Sequence, residues 1–252
     1  MIVVFNTRRP RPGLLAHALR RFGVRPVYLH HSLISPEIVR DQSLVILGGP
    51  QSLCEAVDYD LLRFMRVLDR HIERGGTTFG ICLGAQMIAQ VAGARVRTHP
   101  QGLREIGYHQ MLATRDHRAY DLNAGRYFAW HYDIIERHRM LTVTLSNSAS
   151  EVQAFRLSDR VYGVQFHPEV DLSIIRAWQT LGAHRLIEQG AQGVGEQLTH
   201  HSSHHIRNRI AFDRFIGAFI RRAGSRTDIR PPARIPRSIP KRVHRVRRAG
   251  GP

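Results

Sequence analysis

The sequence predicts an α/β fold. Through the first 93 residues, short apolar runs alternate with runs of helical spacing, the pattern of a sheet flanked by helices. After Gly93 the pattern changes to short strand-like runs separated by turns. The chain has 252 residues, 42% of them hydrophobic, which suits one large globular domain with a substantial core.

The elements follow in order. "IVVFN" (2–6) reads as a buried strand. "GLLAHALRRFG" (13–23) has helical spacing and a glycine stop. "RPVYLH" (25–30) is a second strand, and "SLVILGGP" (43–50) a third that ends in a glycine pair. "DLLRFMRVLDRHIERG" (60–75) is an amphipathic helix with apolar residues at 61, 62, 64, 65, 68 and 72. Its last turn is rich in Arg and His and is followed by Gly75. "TTFGIC" (77–82) is a fourth strand, and "LGAQMIAQVAG" (83–93) is the helix after it. The later strand-like runs are "ARVRTHP", "REIGYHQM", "YFAWHYD", "LTVTLSNS", "VQAFRL" and "VYGVQFHPEV". Helices are expected over 171–189 and roughly 204–222, joined by a loop over 190–203.

The net charge of +17 is unevenly spread. Residues 225–252 hold nine Lys and Arg against Asp228 alone, with prolines at 231, 232, 236 and 240. Such a segment cannot repay the entropy of ordering, so the expected division is a folded domain over 1–224 and a disordered basic tail over 225–252. A solvated extension is favoured over nucleic-acid binding for that tail. Two cysteines, Cys54 and Cys82, cannot build a disulfide framework, and a reducing, cytoplasmic setting is the natural reading. The N-terminal residues lack the order of a secretory signal, and no apolar run reaches the roughly 18 residues of a membrane span.

The chemistry centres on Gly80-Ile81-Cys82-Leu83-Gly84, a G-x-nucleophile-x-G pattern at a strand-to-helix junction. A strained turn there holds the side chain out, while the start of the helix favours the reactive thiolate. The N–H of Leu83 would point toward an oxyanion. The plainer alternative is a packed cysteine beside glycines that permit close helix–strand contact. "QFHPEV" (165–170) supplies a base, His167, with Glu169 two residues on to orient it. "LGGPQS" (47–52) ends a strand with a glycine pair, where the N–H of Gly49 would be a second oxyanion donor.

These three motifs, in this order, resemble the class I (triad-type) glutamine amidotransferases. With "REIGYHQM" and "FAWHYD", the sequence looks most like the stand-alone relatives of the GMP synthase glutaminase domain. The resemblance implies a flavodoxin-like open, mostly parallel sheet flanked by helices, with an antiparallel extension after Gly93. It implies that Cys82 attacks the glutamine side-chain amide, forming a γ-glutamyl thioester and releasing ammonia. His167 and Glu169 match the rest of the triad, and Gly49 and Leu83 the oxyanion-hole positions. Gln86 matches a substrate-holding glutamine. His131, Tyr132 and Asp133 fall on the loop that reads the α-amino and α-carboxylate groups. The families it resembles usually have glycine where this chain has Tyr132, so a narrowed pocket or altered α-group contacts are expected there. No cofactor and no metal are implied. GMP synthase needs a further ATP-activating domain that the residues after Val170 do not supply, so the expected partner is a separate ammonia-accepting synthetase. A stand-alone hydrolase of γ-glutamyl amides and a non-catalytic binding scaffold are the alternatives.

Other features read as structural. "HHSSHH" (200–205) is expected to be a solvated polar loop without metal-ligand spacing. His30 and His31 are expected at the surface or in a loop, Cys54 in a loop, and Trp130 and Trp178 in packing roles.

Overall fold

The structure is a computed structural model and describes residues 1–55, 57–180, 187 and 189–224. Part of the expected helix over 171–189, and the whole basic segment 225–252, lie outside the described residues.

Strands β1 (Ile2–Phe5), β2 (Val27–His30), β3 (Leu44–Ile46) and β4 (Thr78–Ile81) alternate with helices α1 (Gly13–Arg21), α2 (Pro36–Val39), α3 (Tyr59–Glu73) and α4 (Leu83–Val91). Strands β5 (Val96–Thr98), β6 (Glu105–Ala113), β7 (Gly125–His131), β8 (Asp133–Ile135), β9 (Thr142–Ser146), β10 (Ala154–Ser158) and β11 (Val161–Val164) follow. Helices α5 (Leu172–Gln179) and α6 (Val194–Gly224) close the chain.

The main sheet has the order β2-β1-β3-β4-β11-β10-β9-β6-β7. From β2 to β11 every pairing is parallel, and from β11 to β7 every pairing is antiparallel. This is the flavodoxin-like sheet with its antiparallel extension. Strands β5 and β8 form a separate two-stranded ribbon.

Alternation along the parallel strands divides the core between two faces. Ile2, Val4, Leu44 and Ile46 pack with Leu61, Phe64, Leu68 and Ile72 of α3 and with Met87 and Ile88 of α4. Val3, Val45, Phe79 and Ile81 pack on the other side with Leu15 and Leu19 of α1 and Phe212, Phe215 and Phe219 of α6. Helix α3 starts where Asp58 accepts the Leu61 N–H, and Gly75, at φ +78°, lies two residues beyond it.

Two expectations fail here. The segment 190–203 is not simply a loop, because α6 begins at Val194 and includes "HHSSHH". The buried face of its first half is polar: Gln197 donates to the Gln192 carbonyl, His201 Nδ1 meets the Tyr108 hydroxyl at 2.8 Å, and Asn208 donates to the Arg126 carbonyl. Hydrogen bonds replace the apolar stripe that would announce a helix. His31 is also buried rather than on the surface, with Nδ1 3.1 Å from Asn6 Oδ1. Cys54 is exposed in a loop. Among the described residues, no helix is long and apolar enough to cross a membrane.

Candidate active site

Cys82 lies between β4 and α4 with φ 51° and ψ −110°, the one non-glycine residue at positive φ among the described residues. Its N–H donates to the Val164 carbonyl at 2.8 Å, and its carbonyl accepts the Gln86 N–H at 2.9 Å. The turn therefore ends a sheet ladder and starts a helix in one residue. The flanking glycines answer a packing need, because a Cβ at Gly80 would sit 2.5 Å from the Gly84 carbonyl group. Cys82 is only 6% exposed, and its Sγ is 3.8 Å from the Trp130 carbonyl oxygen.

Strands β4 and β11 are parallel neighbours, with Ile81 opposite Val164, so Cys82 and the 165–169 segment leave the sheet side by side. The His167 N–H donates to the Phe128 carbonyl at 2.7 Å. Its Nδ1 is 2.7 Å from Glu169 Oε1, and both side chains are buried. With Nδ1 held by the carboxylate, Nε2 is the nitrogen left to serve Cys82. Burial pulls the His167 pKa down, but the Glu169 carboxylate and the charge and hydrogen bond of Cys82 outweigh it and push the value up to about 10. The Glu169 carbonyl in turn accepts the Leu14 N–H at 2.8 Å, tying the turn to the start of α1.

The glycine pair after β3 reaches the same place. A Cβ on Gly48 would lie 3.0 Å from His167 Cε1 and 3.4 Å from Cys82 Cβ, whereas one on Gly49 would meet Asn6, Gln51 and Leu83. Leu83 is the first residue of α4 and is buried. Gln86 is buried, and its side-chain N–H donates to the Asp133 carbonyl at 3.3 Å, as does that of Gln165 at 3.2 Å.

The 131–133 segment splits three ways. His131 is buried with Nε2 3.3 Å from Glu105 Oε2, and burial lowers its pKa. Glu105 also accepts from Asn147 and Gln153, each at 2.6 Å. The Asp133 carboxylate accepts from Ser52 at 2.5 Å and Thr98 at 3.0 Å. Tyr132 is 37% exposed, with the Arg104 guanidinium 4.0 Å above its ring. Arg104 is held by Gln189 through both its Nε and its backbone N–H.

Two neighbours of the pair have a place at the site that the sequence does not announce. Gly48 carries no chemistry of its own, and only its packing reveals it. Trp178 was expected to pack, and it does so against His167.

An elbow cysteine thus lies beside a buried His–carboxylate pair at the carboxyl ends of adjacent parallel strands, the edge at which open α/β sheets bind their ligands. A family model described as "Glutamine amidotransferase class-I" matches residues 13–176. The chain belongs to the class I glutamine amidotransferases. It is 34% identical over 172 residues to a GMP synthase [glutamine-hydrolyzing] of Azoarcus sp., an alignment covering 62% of this chain and 32% of that protein. The chain thus spans about a third of the length of the curated relatives it matches. A glutamine amidotransferase structure from Methylobacillus flagellatus superposes with a TM-score of 0.77 at 20% identity, covering 88% of this chain and 94% of that one. One from Thermotoga maritima superposes at 0.75 with 22% identity, covering 89% and 98%.

Proposed function

We propose that this protein is a glutaminase in which Cys82 is the nucleophile, His167 the acid–base and Glu169 the orienting carboxylate. The observation that carries the reading is the strained Cys82 turn hydrogen-bonded to the strand that leads into the His167–Glu169 pair. The Cys82 thiolate attacks the side-chain amide of glutamine, and the N–H groups of Leu83 and Gly49 receive the oxyanion. The His167 imidazolium gives its proton to the departing ammonia, leaving a γ-glutamyl thioester. Neutral His167 then takes a proton from water, hydroxide adds to the acyl carbon, and the thiolate leaves as glutamate forms. The His131 and Asp133 side chains are engaged with Glu105, Ser52 and Thr98. The backbone of that loop and Tyr132 are then left to meet the rest of the substrate, with Gln86 holding the loop through the Asp133 carbonyl. In this reading residues 1–224 form the amidotransferase domain. The ammonia passes to a separate synthetase, a reading supported by the much longer GMP synthases that this chain matches in part.

A second reading, a stand-alone hydrolase of γ-glutamyl amides, is favoured by Tyr132 and the Arg104 guanidinium over its ring. Ammonia, amine and glutamate release from glutamine and a panel of γ-glutamyl amides, with Cys82→Ala as control, tests both. Ammonia from glutamine that is lost in Cys82→Ala supports the glutaminase. Faster turnover of a substituted amide supports the hydrolase. Equal rates in Cys82→Ala would overturn the nucleophile assignment.

A further inference from the structure

The chain leaves the triad at Glu169 and turns almost at once into α5. Asp171 caps that helix by accepting the Ile174 N–H at 3.0 Å. Ile174 and Ile175 are buried with Tyr108, Phe128 and Val170, which fixes the helix against β6 and β7. Trp178, one turn after Ile174, is thereby brought back over His167. The two rings lie 4.8 Å apart at 78°, an edge-to-face contact. Trp178 also meets Trp130 edge-on at 5.7 Å and Phe128 at 6.0 Å. Those two residues supply the carbonyl facing the Cys82 thiol and the carbonyl that accepts the His167 N–H.

We propose that Trp178 is a positioning residue of the active site, fixing the plane of the His167 ring between Glu169 and Cys82. The proposal rests on the reading of these three residues as a catalytic triad. A single hydrogen bond at Nδ1 leaves the imidazole free to swing about that contact, and Nε2 would then lose its aim at Cys82. The indole removes that freedom. An indole that presents its π-face to the imidazole edge would also favour the imidazolium in a desolvated site. Because Trp178 touches the Trp130 ring as well, one side chain braces the supports of both the base and the nucleophile.

The test uses Trp178→Leu and Trp178→Phe in the full chain, with kinetics and with His167 followed by NMR across pH. In Trp178→Leu the His167 midpoint should fall by about one pH unit. With it, kcat should fall about tenfold or more while KM stays nearly constant. Trp178→Phe, which keeps an aromatic face, should recover much of both. A purely structural tryptophan would lower thermal stability in both variants and leave the midpoint and the kcat-to-KM split untouched, and that result overturns the proposal.

If Trp178→Leu does not fold, fluorescence decides the matter. The chain has only two tryptophans, Trp130 and Trp178. Protonated imidazole quenches indole emission, so native emission should rise as His167 loses its proton. The rise should vanish in His167→Asn and in Trp178→Phe, where Trp130 remains as the fluorophore. A rise that survives in Trp178→Phe overturns the contact. These titrations need no turnover. If the native protein hydrolyses no γ-glutamyl amide while His167 still responds to Trp178, the glutaminase reading fails and the contact stands. If hydrolysis is normal and His167 is indifferent to Trp178, the positioning role fails alone.

Discussion

The backbone N–H of Cys82 donates to the carbonyl of Val164, 2.8 Å away. This bond extends the β4–β11 ladder by one step and places Cys82 beside the strand that leads to His167. The cost is local: Cys82 must adopt φ 51° to turn from the ladder into α4. Side chains other than glycine resist that conformation by about 1–3 kcal/mol.

The strain has a measurable sign. In ordinary helix or strand positions alanine is more stable than glycine. At position 82 the order should reverse, with Cys82→Gly about 1 kcal/mol more stable than Cys82→Ala. For a protein of this size that is a melting-temperature gap of roughly 2–4 °C. Both variants should be inactive and folded. Equal melting temperatures would mean that the turn relaxes once the thiol is gone.

Gly48 faces both members of the pair, and its backbone needs no glycine-only conformation. A methyl group there would stand 3.0 Å from His167 Cε1, tighter than ordinary contact, so the imidazole must give way by a few tenths of an ångström. Gly48→Ala is expected to lower kcat by about ten- to a hundredfold through misalignment. Folding should survive, as circular dichroism and the melting curve can verify. Native kinetics in this variant would place the reacting geometry elsewhere.

Glu169→Gln keeps the size of the side chain and an acceptor for His167 Nδ1 but removes the charge. Activity should drop without vanishing, since orientation persists. The pH dependence should change as well. His167 titrates near 6.5 when unperturbed and near 10 in the folded protein, so the folded state holds an extra proton between those values. Stability from this group is full below about pH 6.5 and is lost as pH rises through about 10. With the carboxylate neutralised, the basic limb of kcat/KM should move to lower pH, and stability should depend less on pH in that window. An unmoved basic limb would assign that limb to another group.

Much of this site was legible because its signals are local. The β4–α4 turn shows itself through glycines two residues either side of Cys82, and the His–Pro–Glu turn through its place at the end of an apolar run. Apart from the short α2, which the sequence does not announce, the elements from β1 to α4 follow from apolar periodicity, with boundaries shifted by up to four residues. What stayed hidden depends on distant partners. The first half of α6 buries Gln197, His201 and Asn208, and only their hydrogen bonds to Gln192, Tyr108 and Arg126 make that burial affordable. His31 reads as a surface residue until Asn6 is seen to meet it. Trp178 becomes part of the site because α5 doubles back, a consequence of packing at Ile174 and Ile175 that no spacing rule encodes.

Tyr132 gives the most direct test of the proposed substrate site. Its neighbours in sequence have settled side chains, His131 against Glu105 and Asp133 against Ser52 and Thr98. Tyr132 instead remains 37% exposed and carries the Arg104 guanidinium on its face. Replacing it with glycine, the residue expected from the resemblance, removes that platform and opens the space it fills. If the ring narrows a site for glutamine, Tyr132→Gly should raise the relative kcat/KM for bulkier γ-glutamyl amides by about ten- to a hundredfold, the scale set by a few lost contacts. If the ring instead contacts the amine portion of a larger natural substrate, the same substitution should lower that substrate's kcat/KM and leave glutamine hydrolysis nearly unchanged. Competition between glutamine and one bulkier amide in a single assay separates these outcomes. A selectivity ratio that does not move in either direction would remove Tyr132 from the substrate site.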